Sequence, residues 1–381
     1  MPRESAIRHP PSAIPRLSEA EALALYFDCS IHELGRRAFA ATQRLHPEDY
    51  RTYVVDRNIN YANWCTAKCI FCNFKADPPG MNSSRPELPA GYVLTFDQIG
   101  GKIQELIDIG GTQVLMQGGL VPPEILGFDW YLDLLRFIKK NFPGVHVHAF
   151  SPPEIWAFHQ VFNMPLREVL LRLQEAGLDT IPGGGAEILV DRVRDKISRG
   201  KTRTAEYLEV MRQAHRIGMR TSITMMFGHI ETIPERIEHL RLIRDLQDET
   251  GGFTAFICWT FQPENTPLGR MKSLPADSPL PPDGRHLKLA DANEYLRMLA
   301  VARLFLDNVP NIQSSWVTQG PKIGQLALFF GANDMGSVMM EENVVSAAGT
   351  TYRLSEQEIR RLITDAGWRP QKRNCYYEPI C

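Results

Sequence analysis

The chain has 381 residues, 44% of them hydrophobic, and a formal net charge of -2. That length suits one large α/β barrel with extensions or two ordinary domains, and the near-neutral charge supplies no basic surface for nucleic acid or an anionic membrane. No apolar run reaches the roughly eighteen residues of a membrane helix, and the charged, proline-containing start MPRESAIRHPPSAIPR has no secretory apolar core, so the expected compartment is the cytoplasm.

Residues 17–46 read as helical, with Leu23, Leu25 and Tyr26 followed by Ile31, Leu34 and Phe39 near helical spacing. Tyr53-Val-Val-Asp reads as a first strand. A cysteine-rich segment follows, then a Pro- and Gly-rich loop over 77–91. Strand–helix alternation begins there. Helices are predicted over 96–109 (capped by Thr95), 129–140, 165–176, 204–216, 233–248, 288–307, 322–330 and 355–366. Strands are predicted over 112–117, 145–150, a short run ending at Pro182, then 219–227, 253–260, 311–317 and 336–340, with a Pro-rich loop over 262–287. About eight strands alternating with helices predict a parallel sheet with crossover helices. At that count a closed (β/α) barrel of the TIM type is the leading expectation and an open doubly wound sheet the alternative. The expected organisation is an N-terminal helical extension at 1–50, the barrel at 51–350, and a C-terminal helix and tail at 351–381.

Of seven cysteines, three fall within eight residues: Cys65, Cys69 and Cys72. The odd total and the crowding speak against a disulfide framework and for metal binding in a reducing compartment. The spacing is Cys-x3-Cys-x2-Cys, with Phe71 just before the last cysteine. Three thiolates on one short loop can hold three irons of a 4Fe-4S cubane and leave the fourth iron open. In radical-SAM enzymes that open iron takes the amino and carboxylate groups of S-adenosylmethionine. The alternatives are a structural zinc site, for which His46 or His9 would have to supply a fourth ligand, and three cysteines on one helix face.

In a barrel, function gathers where strands end and helices begin. Gly118 and Gly119 follow the second strand, where bare backbone can approach the cosubstrate. His146, His148, Phe150 and Ser151 lie at the end of the third; His148 is a candidate substrate contact and Ser151 a candidate cosubstrate contact. Gly183-Gly184-Gly185-Ala186-Glu187 follows the fourth, with Glu187 placed to accept ribose hydroxyls. Gly228 and Glu231 follow the fifth, where adenine would lie on bare backbone at Gly228. Trp259 and Gln262 close the sixth and suit a planar, polar substrate. Asn333, and then Glu341 and Glu342, stand near the last strands; the paired glutamates are candidates to bind or deprotonate substrate.

Several stretches carry a family resemblance: Val55-Asp-Arg-Asn-Ile-Asn-Tyr, Gly110-Gly-Thr-Gln, His146-Val-His-Ala-Phe-Ser-Pro-Pro-Glu-Ile, Ile181-Pro-Gly-Gly-Gly-Ala-Glu-Ile, Met226-Phe-Gly-His and Gly331-Ala-Asn-Asp. Over roughly residues 20–370 the chain resembles the dehypoxanthine futalosine cyclases, radical-SAM enzymes of the futalosine route to menaquinone. The runs from Gly252 to Phe256, Trp259-Thr-Phe-Gln-Pro and Ser315-Trp-Val-Thr-Gln-Gly-Pro-Lys separate it from sister enzymes such as aminofutalosine synthase. The resemblance implies a 4Fe-4S cluster on Cys65, Cys69 and Cys72, S-adenosylmethionine as cosubstrate, and Phe71 beside its adenine. It implies hydrogen abstraction from the ribose of dehypoxanthine futalosine and radical addition to the benzoate ring. It further implies a low-potential electron donor such as flavodoxin or ferredoxin. The rivals are aminofutalosine synthase, a non-catalytic iron–sulfur or zinc protein, and a barrel hydrolase using His148 and Glu187. The stretch Asn374-Cys375-Tyr-Tyr-Glu-Pro-Ile-Cys381 departs from the family pattern and is expected to be a free tail.

Overall fold

A computed structural model describes residues 14–81, 85, 88–275, 278–281 and 283–380. Cys381, His9 and part of the 77–91 loop lie outside the described residues. The barrel strands are all parallel, and the ring closes through the first of them. This strand is broken at Val55 into Tyr50–Val54 and Asp56–Ile59. Its first half pairs with Asp334–Ser337, and its second half pairs with Gln113–Met116. From there the ring runs through His146–Ala149, Thr180–Ile181, Arg220–Phe227, Phe253–Thr260 and Asn311–Gln313 back to Asp334–Ser337. The expected barrel is therefore the fold, and the open sheet is not.

The helices form because each presents an apolar stripe to this ring. In Phe96–Asp108 that stripe is Ile99, Ile103 and Leu106, all fully buried. Thr95 caps this helix through the Gln98 amide, and Gln98 returns the bond in a capping box.

Local chemistry corrects several predicted elements. The single helix expected over 17–46 is two, Glu19–Asp28 and Ile31–Leu45, because Ser30 leaves helical geometry and caps the second through the Glu33 amide. The helix Pro152–Val161 was not expected; two prolines at its first turn suit that position. The strand predicted over 311–317 stops at Gln313, and Trp316–Gln319 turns helical. The last barrel strand is Asp334–Ser337, two residues ahead of its predicted start.

The largest correction concerns the C-terminus, which is not a free tail. Arg369–Lys372 runs parallel to Tyr50–Val54, on the edge that Gln113–Met116 takes further along. Because that edge is then occupied, the chain leaves the wall. It turns back on itself over 373–379, with Arg373 and Pro379 bridging antiparallel. The turn spans the barrel interior. Arg373 meets Asp334 at 2.6 and 3.0 Å, Cys375 Sγ lies 3.4 Å from Thr180 Oγ1, and the Tyr377 hydroxyl is 3.4 Å from Gln313 Oε1. Residues 369–377 thus belong to the barrel, and the C-terminal unit expected at 351–381 does not stand apart.

Two histidines are buried uncharged among the helices. His215 bonds Thr250 and Thr221 at 2.6 and 2.8 Å, and His239 accepts from the Leu189 amide at 2.9 Å. Burial pushes both down to about 3. In the unfolded chain each would take a proton near pH 6.5. The folding stability they leave intact at neutral pH is thus lost as pH falls below about 6.5, by about 1.4 kcal/mol per pH unit for each, until about pH 3. Thermal melts between pH 7 and pH 5 should show a clear fall in Tm; a flat Tm would contradict this assignment.

Candidate active site: the cysteine loop and the barrel lumen

The cysteine loop is held by backbone bonds and does not depend on its thiols. Lys68–Cys69 pairs antiparallel with Ser198–Arg199. The Cys65 amide donates to Ala76 O at 3.0 Å and the Ile70 amide to Ile197 O at 2.9 Å. Cys65 and Cys69 are buried, Cys72 is half-buried, and all three pack in one cluster with Phe71 and Leu120. None is in a disulfide. Burial pushes the Cys65 and Cys69 thiols up, so they stay protonated until a metal takes the proton's place. Among the described residues no three Cys, His, Asp or Glu side chains converge tightly enough to share one metal ion. A cubane needs no such convergence, because each thiolate takes a different iron. His46, a zinc-ligand alternative, is engaged at 2.8 Å with Pro310 O instead.

The Gly118-Gly119 corner abuts this loop. The Leu120 amide donates to Cys65 Sγ at 3.3 Å, and the Thr66 amide donates to Leu120 O at 3.0 Å. A Cβ on Gly119 would stand 2.1 Å from Trp64 O and 2.7 Å from Cys65 Cβ. Gly119→Ala should therefore displace the loop and cut iron incorporation on reconstitution severalfold. Wild-type iron and sulfide content in that variant would show the contact to be slack.

Glu154, which the sequence did not single out, fixes the corner. Its carboxylate accepts from the Gly118 amide at 2.9 Å, the Tyr61 hydroxyl at 2.5 Å, and the Ser151 amide and hydroxyl at 2.7 and 2.5 Å. Burial pushes its pKa up while these donors pull it down.

A cavity of about 290 Å³ fills the lumen. Its upper wall carries Gln117, the Gly183–Gly185 run and Glu187; its floor is Arg373, Cys375 and Tyr377 from the C-terminal turn. Trp259 and Trp316 supply aromatic side chains to the lining, and His148 and Glu342 supply polar ones. Three lining acceptors are buried and make no hydrogen bond: Glu187 Oε2, Asn58 Oδ1 and Gln113 Oε1. The amide orientations follow from chemistry, since Asn58 Nδ2 donates to Glu342 and Gln113 Nε2 to Asp56. Buried acceptors without partners are costly, so a bound ligand rich in hydroxyl donors would satisfy them.

Glu187 itself sits in a left-handed conformation (φ 37°) that a non-glycine residue holds only under constraint. The constraint comes from two cations. Lys201 Nζ is 3.0 Å from Glu187 Oε1 and 5.4 Å from the Phe71 ring centroid, and Arg194 braces the carbonyls of Gly185 and Ala186. Burial alone would lower the Lys201 pKa; the Glu187 carboxylate outweighs it and holds the ammonium charged. Arg194 stays 3.8 Å from Glu187 Oε2, which leaves that oxygen open.

Other candidates lie off the cavity. Ser151 is the N-cap of the helix Pro152–Val161 and is bound to Glu154. Asn333 precedes its strand, with its amide spent on the Ile312 N–H and Asn311 Oδ1. Gln262 folds back on Thr260. Gly228 faces Ala290, not a ligand space. Glu341 is paired with Lys102 at 2.7 Å and Arg57 at 3.0 Å, so of the two glutamates only Glu342 faces the lumen. Conversely, Asp56, Asn58, Gln113, Ser222 and Thr224 were missed. Their signal is polar residues at period two within buried strands.

The chain matches the radical SAM superfamily over residues 59–243 and the CofH/MqnC C-terminal region over 250–380. It is 45% identical over 365 residues to the cyclic dehypoxanthine futalosine synthase of Halalkalibacterium halodurans, covering 96% of this chain and 92% of that one. The chain belongs to the radical SAM superfamily. A second relative in it, the cyclic dehypoxanthine futalosine synthase of Streptomyces coelicolor, is 42% identical over 96% of this chain and 86% of its own length. The crystal structure of methylornithine synthase shares the fold at a TM-score of 0.66 and 19% identity, over 93% of this chain and 94% of that one. The cofactors of this superfamily are a 4Fe-4S cluster and S-adenosylmethionine. The site fits both: three clustered thiols without a disulfide face the first, and Glu187 Oε2, which makes no hydrogen bond, suits a ribose hydroxyl of the second.

Proposed function

We propose that this chain is the radical-SAM cyclase that converts dehypoxanthine futalosine to cyclic dehypoxanthinyl futalosine on the futalosine route to menaquinone. The observation that carries the reading is the lumen, whose lining combines buried acceptors that make no hydrogen bond with Trp259 and Trp316. A substrate joining a ribose to a benzoate ring offers hydroxyl donors to the first and an aromatic plane to the second. The two synthases compared above carry the name of this activity.

Cys65, Cys69 and Cys72 would hold the cluster, with Phe71 and the Gly118-Gly119 corner around the cosubstrate and Glu187 on its ribose. When bound, cluster and cosubstrate supply a 5′-deoxyadenosyl radical that takes a hydrogen atom from the substrate ribose. The residues of this chain hold the two reacting halves of one substrate together. Trp259 lies against the ring, His148 and Glu342 meet polar groups, and the C-terminal turn shuts the lumen from below. A low-potential flavodoxin or ferredoxin would deliver the electron, in the cytoplasm.

The test is anaerobic. Reconstituted protein is given S-adenosylmethionine, reductant and dehypoxanthine futalosine, and the mixture is read by mass spectrometry. Deoxyadenosine with a product two hydrogens lighter than the substrate is expected. Deoxyadenosine without that product would turn the substrate question toward the sister enzymes.

A further inference from the structure

Cyclisation followed by return to an aromatic ring gives up one electron, which the oxidised iron–sulfur cluster of the proposed reaction would accept, and one proton, which is released inside a lumen that the C-terminal turn closes. Among the described residues, Glu342 is a poor route outward. Its carboxylate is met by Asn58 Nδ2 at 3.0 Å and by the amides of Val344 and Val345 at 2.7 and 2.6 Å. Amide groups donate but do not pass a proton on.

The opposite wall differs. His148 lines the cavity, and its Nδ1 lies 2.7 Å from Thr180 Oγ1 on the neighbouring strand. The same hydroxyl lies 2.7 Å from Nε2 of His146, which is half-buried and does not line the cavity. The third neighbour is Cys375 Sγ of the turn, at 3.4 Å. A hydroxyl has one hydrogen and two lone pairs. With both imidazoles neutral it is fully satisfied when His148 Nδ1–H and the thiol donate to it and it donates to His146 Nε2. His148 Nε2 then offers a lone pair to the lumen.

We infer that His148, Thr180 and His146 form a proton exit from the lumen, with His148 the group that takes the proton released when the product ring becomes aromatic. It rests on the cyclase reading above. The proton binds His148 Nε2 as Nδ1 gives its hydrogen to Thr180 Oγ1. The hydroxyl passes its own hydrogen to His146 Nε2, and His146 Nδ1 gives its hydrogen to solvent. No imidazole needs to rest in the charged form, which suits the burial that pushes His148 down to about 3 and His146 to about 4. The chain resets after the product leaves: water entering the lumen takes the hydrogen from His148 Nε2, Nδ1 regains one from the Thr180 hydroxyl, the hydroxyl regains one from His146 Nε2, and His146 Nδ1 takes one from solvent. Thr180 and His146 are positioning residues in this scheme: neither needs to touch substrate.

The experiment uses reconstituted holoenzyme with dehypoxanthine futalosine and compares T180V, T180S, H146Q, H148Q and E342Q, each checked for iron content and circular dichroism. The relay predicts that T180V and H146Q lose about 10²-fold in kcat for cyclised product at unchanged KM, with deoxyadenosine in excess over product. T180S should stay within a few-fold of wild type, and the solvent deuterium isotope effect on product formation should change in H146Q. H146Q decides the matter if T180V does not fold. Wild-type kcat in H146Q overturns the relay, including when H148Q or E342Q alone is dead, since a terminal base then suffices. Wild-type protein that releases deoxyadenosine but no cyclised product overturns the substrate reading and the relay with it. That outcome is recognisable because the variants then have no turnover to lose.

Discussion

Cys69→Ala protein is expected to purify folded and to be inert. The backbone around position 69 is paired with Ser198 on the strand Ser198–Arg199 and needs no sulfur to hold it. Removing one small buried side chain costs about 1–2 kcal/mol, a minor part of the stability of a barrel this size. The chemistry is lost outright, because two thiolates cannot complete the three-iron hold on the cubane. Iron and sulfide content after reconstitution, the visible absorbance of the cluster and deoxyadenosine release should all fall to background, while the far-ultraviolet circular dichroism stays near wild type. Deoxyadenosine release from a cluster-free variant would refute the assignment of this loop.

Arg373→Met is expected to produce the largest loss of stability of any single change considered. The guanidinium makes two hydrogen bonds to Asp334, stacks on the Tyr377 ring at 3.7 Å and is almost fully buried, as is the carboxylate. Breaking such a pair from one side leaves a buried charge without compensation and costs about 3–5 kcal/mol. Asp334 also accepts from the Thr52 hydroxyl and the Gly336 amide, so the stranded carboxylate sits where two barrel strands meet. Urea unfolding of R373M should show this drop, and adding D334N should recover part of it. Activity should fall as well, because the turn that closes the lumen loses its anchor. If R373M unfolds at the wild-type midpoint, the turn is not held by this pair.

Much of the fold was legible in the sequence because each signal was local. The apolar stripes of 96–108 and 204–216, the glycine stops after 117 and 182, and the alternation of strand with helix all lie within a dozen residues. The cysteine spacing is equally local, and it pointed to the cluster chemistry before any geometry was known. The same locality misled where a side chain had two possible uses. Ser151 and Asn333 carry groups that suit a ligand, yet one caps a helix and the other bonds its neighbouring strand.

What the sequence by itself determined is the barrel, most of its helices and the three-thiol loop, because periodicity and spacing follow from backbone geometry within one element. What only the tertiary structure decided is which polar groups face the lumen and what closes it. Glu341 and Glu342 are adjacent in the chain, but one is neutralised by Arg57 and Lys102 while the other looks inward. The C-terminal turn reaches Thr180, Gln313 and Asp334 only because one edge of the first strand is shared between Arg369–Lys372 and Gln113–Met116. That sharing depends on ring closure, and ring closure brings together residues from the whole length of the chain.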